Sequence, residues 1–301
     1  MSDAVVKALG ELVSGGVTRG ELDRGGRVLR WVEAGTGSPT VVLDAASGTP
    51  ALTWAPIMPA LAGHVRVIAY DRAGLGMSDP AARLTAGSAV ADLTALLTEI
   101  GREPFVLVGH SWGGQLVQQV AWRAPQLVSG LVLVDPAHEQ FEPLLGRILE
   151  EAFSYLFAVR RALGRSGRSL REAAVRAAEA VTDDPRIQGL LVEAELACYA
   201  HEHQIRAAKA ENRMIPREAA TLRRLRAASR LPGVPVTVLS ATQGMPRRWR
   251  ERWTALQAQI AAEAEHGEHS VVPDAGHYIH RSRPETVTQA VLAVSKRTQL
   301  G

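Results

Sequence analysis

Apolar residues along this chain fall into two rhythms that alternate. Thr40-Val41-Val42-Leu43, Val65-Arg66-Val67-Ile68-Ala69-Tyr70, Phe105-Val106-Leu107-Val108 and Leu131-Val132-Leu133-Val134 are short, nearly continuous apolar runs, as expected of strands covered on both faces. Val28-Leu29-Arg30-Trp31-Val32 reads as a further strand. Between the runs the apolar positions space out to three and four. Thr53 to Leu61, Ser88 to Ile100 (Val90, Leu93, Leu96, Leu97, Ile100) and the stretch after Ser111 therefore read as helices. Strand and helix in alternation predict an α/β fold, a mostly parallel sheet flanked by helices.

The alternation stops at Asp135-Pro136. From about Ala137 to Arg230 only helical periodicity is found, with breaks expected near Gly164, Asp183-Asp184-Pro185 and Pro216. Strands resume at Val234-Pro235-Val236-Thr237-Val238-Leu239, followed by a helix from about Arg247 to Glu265, a strand at Ser270-Val271-Val272 and a last helix from about Pro284 to Ser295. The chain thus divides into a first core part at 1–136, an inserted all-helical cap at 137–230 and a second core part at 231–301. A helical block inserted between strands is expected to lie over their carboxyl ends, where such sheets place ligands.

Composition narrows the partners. With 301 residues and 46% hydrophobic content, the chain can bury one large core. Its formal charge is only +3, and Arg160, Arg161, Arg165, Arg168, Arg171 and Arg176 are interleaved with Ala, Leu and Glu as on a solvated helix face, so nucleic acid is not an expected partner. The single cysteine, Cys198, lies in an apolar helical pattern and reads as a small core residue. No basic region followed by an apolar run opens the sequence, and no stretch is long enough for a membrane span, which makes the cytoplasm the expected location. The glycine segments lack the residues of phosphate or dinucleotide loops, so no organic cofactor is implied. His201-Glu202-His203 would place its two imidazoles about 200 degrees apart on a helix and has no third ligand nearby, so no metal is expected. The expected partner is a small-molecule substrate, with homo-oligomerisation left open.

The chemistry is concentrated in Gly109-His110-Ser111-Trp112-Gly113, which follows one buried strand and opens a helix. This G-x-S-x-G turn presents a serine hydroxyl at a strand end, and the backbone N–H of the following residue, Trp112, is positioned to stabilise an oxyanion. A serine needs a base to remove its proton and a third group to orient that base. Among nine histidines, His277 in Asp274-Ala275-Gly276-His277 stands between the last strand and the last helix, in the chain order serine, acid, histidine.

On these residues, from about Arg27 to Ser295, the chain resembles the α/β-hydrolases with a helical cap. Tyr70-Asp71-Arg72-Ala73-Gly74-Leu75-Gly76-Met77-Ser78-Asp79 is similar to the family's D-x-R-G-x-G-x-S segment, in which Asp71 and Arg72 would fix a loop. Most members carry the acid after the strand that follows the cap, but that strand here runs into Ser240-Ala241-Thr242-Gln243-Gly244 without a carboxylate. A minority, including some haloalkane dehalogenases and the zearalenone lactonases, place it after the strand that follows the nucleophile helix. Asp135 occupies that position and takes the acid's role by resemblance, with Asp274 the other candidate and a loop brace in the first instance. The family's second oxyanion donor maps to the N–H of Ala46, in Asp44-Ala45-Ala46-Ser47-Gly48, where Asp44 replaces the usual histidine and reads as a brace. Trp54, His138, Phe141, Tyr155, Phe157 and Met214 are candidate pocket residues. The resemblance implies a cofactor-independent hydrolase of a moderately apolar carboxylic ester or lactone, acting through an acyl-enzyme. Serine at the nucleophile position argues against dehalogenase or epoxide hydrolase chemistry, whose enzymes attack with aspartate. Acyl transfer or another non-hydrolytic reaction, and a binding protein on the same scaffold, are the alternatives.

Overall fold

The computed structural model describes residues 2–101, 104–141 and 166–299. Its sheet is built from β1 (Thr18–Asp23), β2 (Val28–Ala34), β3 (Thr40–Asp44), β4 (Arg66–Asp71), β5 (Phe105–His110), β6 (Val128–Val134), β7 (Pro235–Ala241) and β8 (His266–Val272). The spatial order is β1-β2-β4-β3-β5-β6-β7-β8. Pairings of β2 with β1 and β4 are antiparallel, and every other pairing is parallel. The helices are α1 (Ser2–Leu12), α2 (Met58–Ala62), α3 (Ala86–Ile100), α4 (Trp112–Arg123), α5 (Ser166–Glu179), α6 (Pro185–Cys198), α7 (Glu202–Ala228), α8 (Arg247–Glu263), α9 (Ile279–Ser282) and α10 (Pro284–Thr298).

Successive strand residues feed opposite faces of the sheet. Val41, Leu43, Val106, Val108, Val132 and Val134 enter a core shared with α1, α2 and α10, while Val42, Leu107, Leu131 and Leu133 enter a second core with α3, α4 and α8. This double burial is the reason for the continuous apolar runs. The edges differ. β1 is largely exposed, so its sequence, Thr-Arg-Gly-Glu-Leu-Asp, carries no apolar signal, and β8 begins four residues before the predicted Ser270 because its first half is exposed as well.

The helix expected from Thr53 to Leu61 is split into a 3-10 turn, Ala51–Trp54, and the short α2, with Pro56 between them lacking the N–H that a continuous helix would donate. Helix α3 starts at a reciprocal cap in which Thr85 accepts from the Ser88 N–H and Ser88 from the Thr85 N–H, each at 3.0 Å.

Between β6 and β7 the described residues of the inserted block form α5, α6 and α7. Asp184 accepts from the Arg186 N–H at 2.8 Å and Pro185 opens α6, so the break at 183–185 is present. Gly164 lies outside the described residues. Pro216 does not break the chain and lies within α7. That helix is anchored on both sides of the proline: Glu211 binds Arg72 and Gly48 before it, and Arg226 binds Glu139 at 2.6 Å after it. These tertiary bonds offset the roughly 3 kcal/mol an interior proline costs. Helix α7 rests on loops leaving the carboxyl ends of β3 and β4, where Gln204 both donates to the Gly76 carbonyl at 2.8 Å and accepts from its N–H at 2.9 Å. Arg168, Arg171 and Arg176 are exposed on α5, whereas Arg160, Arg161 and Arg165 fall outside the described residues. No described helix is long and apolar enough to cross a membrane.

Candidate active site

Ser111 stands between β5 and α4 with φ 53° and ψ −115°, a backbone conformation that side chains other than glycine rarely hold. The turn survives because its surroundings overdetermine it. The Ser111 N–H donates to the Val134 carbonyl at 3.1 Å, and the Ala137 N–H donates to the Ser111 carbonyl at 3.0 Å, tying the elbow to the end of β6. A methyl group on Gly109 would lie 2.6 Å from the Gly113 carbonyl oxygen, and one on Gly113 would lie 2.5 Å from that of Ala45. Glycine at both positions is therefore a packing requirement. The Ser111 side chain is nearly buried, and its hydroxyl makes no hydrogen bond to a described residue. Hydrogen bonds of this kind are often long before substrate binds.

Asp135 follows β6 directly, also in the left-handed region at φ 41°. Its carboxylate is fully buried, and every partner is a donor. Oδ2 accepts from His277 Nδ1 at 2.7 Å. Oδ1 accepts from the Ala241 N–H at 3.1 Å and from Trp253 Nε1 and Gln257 Nε2 at 3.0 Å each, and an Arg250 Nη1 lies 3.3 Å from both oxygens. Burial alone would raise the carboxyl's pKa. The hydrogen bond and charge of His277, the Ala241 amide and Arg250 outweigh it and hold the group well below the usual carboxylate range. Asp135 is an anion throughout the physiological range and only accepts, so Nδ1 of His277 carries a proton and, in the neutral tautomer, Nε2 carries none.

His277 is fixed from behind by His110, the residue before the serine. His110 Nε2 lies 2.9 Å from the His277 carbonyl, which only accepts, so Nε2 carries the hydrogen. The two rings are 4.7 Å apart. Burial, reinforced by the neighbouring His277 and His280, keeps His110 neutral. The slot after β7, where the resemblance would place the acid, holds two backbone amides instead: Thr242 and Gln243 N–H donate to the Ala275 carbonyl at 3.0 and 2.9 Å and so steady the histidine loop. Asp274 makes no hydrogen bond or ion pair with the His277 ring, whose carboxylate partner is Asp135. It sits at φ 54° and accepts a long bond, 3.5 Å, from Gln243 Nε2.

The first N–H of α4, that of Trp112, has no acceptor within its own helix, and the Ala46 N–H has none among the described residues. The two segments meet where Gly113 packs against Asp44 and Ala45. Asp44 accepts from the Tyr70 hydroxyl at 2.8 Å and from Arg72, which braces the loop; burial raises its pKa against the lowering effect of Arg72. Asp71 accepts from the Ala51 and Met77 N–H groups at 2.7 and 2.9 Å, and burial raises it to about 6.

Of the pocket candidates, Trp54 is fully buried with its ring 4.4 Å from that of His280. Phe141 packs edge-on against Trp253 at 4.6 Å, one residue removed from Asp135. His138 is buried and accepts from the Gln140 N–H at 3.2 Å, and Met214 is buried on α7. Tyr155 and Phe157 lie outside the described residues. Cys198 is fully buried. His201 precedes α7 in an extended conformation, so its ring stacks on that of His203 at 5.4 Å instead of diverging from it.

Sequence reasoning missed Arg250, Trp253 and Gln257. Apolar periodicity passes over an arginine and a glutamine, yet the three recur at helical spacing on the α8 face that also buries Ile260. That shared face was the available signal.

A family model described as the alpha/beta hydrolase family matches residues 41–290. The chain is 34% identical over 105 residues to the uncharacterized protein YqjL of Bacillus subtilis, an alignment covering 34% of this chain and 42% of that protein. The chain spans less than half the length of such curated relatives. Among solved structures it is similar to Cfl2 of Burkholderia cenocepacia (TM-score 0.73, 24% identity, 92% of this chain and 95% of that one). It is also similar to Est816, described as an N-acyl homoserine lactone degrading enzyme (TM-score 0.61, 20% identity, 91% and 99%).

Proposed function

Because the chain belongs to the alpha/beta hydrolase family, we propose that it is a serine hydrolase of carboxylic esters or lactones, with Ser111 as nucleophile, His277 as base and Asp135 as the orienting acid. His277 Nε2 takes the hydroxyl proton as Ser111 Oγ attacks the carbonyl carbon. The N–H groups of Trp112 and Ala46 donate to the oxygen as it becomes an oxyanion. Collapse of the tetrahedral intermediate breaks the bond to the alkoxy oxygen, which takes the proton back from His277; in a lactone that hydroxyl stays on the acyl group. A water deprotonated by His277 then attacks the acyl-enzyme, and the acid leaves as Ser111 regains its proton.

The observation that carries this reading is the 2.7 Å bond from His277 to a buried carboxylate whose remaining positions are filled by protein donors. A base so held keeps one tautomer and one orientation. The test is fluorophosphonate labelling with the modified peptide located by mass spectrometry, alongside turnover of p-nitrophenyl esters and simple lactones. Rapid labelling at Ser111 together with turnover that Ser111→Ala abolishes is expected. Labelling without water-dependent turnover, and with product formed only when an alcohol or amine is supplied, would move the assignment to acyl transfer. Saturable binding with neither labelling nor product would make the chain a binding protein.

A further inference from the structure

Beneath the candidate oxyanion loop lies a buried charge cluster that the reaction sequence above does not use. Arg72 spends all five of its N–H donors there. Nη1 donates to Asp44 and, at 2.8 Å, to the Ala45 carbonyl; Nη2 donates to the Ala46 carbonyl at 2.7 Å and to Glu211 at 2.8 Å; Nε donates to Glu211 at 2.7 Å. Glu211 is on α7, within the inserted block, and its Oε2 also accepts from the Gly48 N–H at 2.6 Å. Its neighbour Asn212 accepts from the Ser47 hydroxyl at 2.5 Å. Gly48 itself lies at φ 67°, and a methyl group there would stand 2.7 Å from the Ala208 methyl, so the loop approaches α7 too closely for any other residue.

The Ala45 carbonyl and the Ala46 N–H belong to one planar trans peptide and point in opposite directions. A guanidinium clamped to that carbonyl therefore sets the direction of the N–H. Arg72 is held in turn from two sides, by Asp44 of the sheet and bidentately by Glu211 of α7. We propose that Glu211 is a positioning residue through which docking of α7 sets the Ala46 amide for oxyanion binding. The proposal rests on the serine hydrolase reading, and it makes the inserted helices part of the machinery that orients the transition state, beyond any contact they make with substrate.

The experiment compares wild type, Glu211→Ala and the equal-sized Glu211→Gln, with p-nitrophenyl butyrate as substrate and an alkyl trifluoromethyl ketone as the tetrahedral probe. Rates are referred to the folded fraction measured by near-ultraviolet circular dichroism. Mispositioning one donor predicts a kcat about tenfold to a hundredfold lower in Glu211→Ala, KM within about twofold of wild type, and ketone affinity falling in proportion to kcat. Glu211→Gln falls between, because an amide oxygen in the place of Oε2 keeps the bonds from the Gly48 N–H and Arg72 Nη2, while its NH₂ then faces the Arg72 Nε donor. The midpoint of the pH–rate profile stays at the wild-type value, since the histidine and its acid are untouched. Unchanged kcat and ketone affinity in the folded variants, or a rise in KM alone, overturns the proposal while leaving the serine mechanism standing. A wild type inert to the ester, the ketone and fluorophosphonate overturns both.

Discussion

Replacing Asp135 with asparagine should disable the base by inverting its tautomer. Ala241, Trp253 and Gln257 all donate to Oδ1, so an asparagine at this position must turn its carbonyl oxygen toward them. Its NH₂ is then forced into the place of Oδ2, 2.7 Å from His277 Nδ1. A donor there requires Nδ1 to be unprotonated, which puts the neutral ring's hydrogen on Nε2, the nitrogen that accepts from Ser111 in the proposed mechanism. The alternative flip would aim NH₂ at three donors and is excluded by the same contacts. A base in the wrong tautomer costs about 10³- to 10⁴-fold in kcat/KM, or roughly 4 to 5.5 kcal/mol of transition-state stabilisation. The assay is kcat/KM on a p-nitrophenyl ester from pH 6 to 10, with the fluorophosphonate labelling rate of Ser111 measured in parallel. Both should fall together. The variant should also unfold at lower denaturant, because buried Arg250 loses its anion. A folded Asp135→Asn that keeps activity within about tenfold of wild type would refute the orienting role, and Asp274 would be the next carboxylate to test.

Other substitutions probe the surroundings. Ser111→Ala and Ser111→Gly both remove the hydroxyl, but only glycine relieves the strain at φ 53°, so the glycine variant should be about 1 kcal/mol more stable in denaturant titrations; equal stabilities would show an unstrained elbow. His138 is kept neutral by burial, opposed by Glu139 and aided by Arg226, and its pKa falls from 6.5 to about 4. The unfolded chain thus binds a proton between those values that the folded chain does not, and stability is lost as pH falls through that window. His138→Asn can still accept from the Gln140 N–H and should recover roughly 3 kcal/mol of that loss at pH 4; identical slopes of stability against pH in the two proteins would contradict the shift.

The fold was legible where burial is two-sided. β3 to β6 wrote themselves as apolar runs because both of their faces are packed, whereas β1 and the first half of β8 were invisible because an edge strand has little to hide. The elbow was legible because its glycines answer a local steric demand that leaves a five-residue trace. The shell around Asp135 was not: Arg250 and Gln257 are buried for the sake of one carboxylate, and a polarity pattern assigns such residues to solvent. Pro216 misled for a related reason. Its local cost is real, but the bonds that outweigh it join residues far apart in the chain.

Ser111 and Asp135 close two neighbouring strands, β5 and β6, in a stretch that ends before the inserted helices begin. In evolutionary terms this separates two kinds of inheritance. The registry between these two residues is set by the pairing of β5 with β6 and by the bond from the Ser111 N–H to the Val134 carbonyl, both made before the chain enters the helical block. Exposed positions of α5 such as Arg168, Arg171 and Arg176 are open to change, whereas α6 commits Leu191, Val192 and Cys198 to the core it shares with the sheet. The positions that join the helical block to the sheet, Glu211 among them, are those that any change in the block must keep.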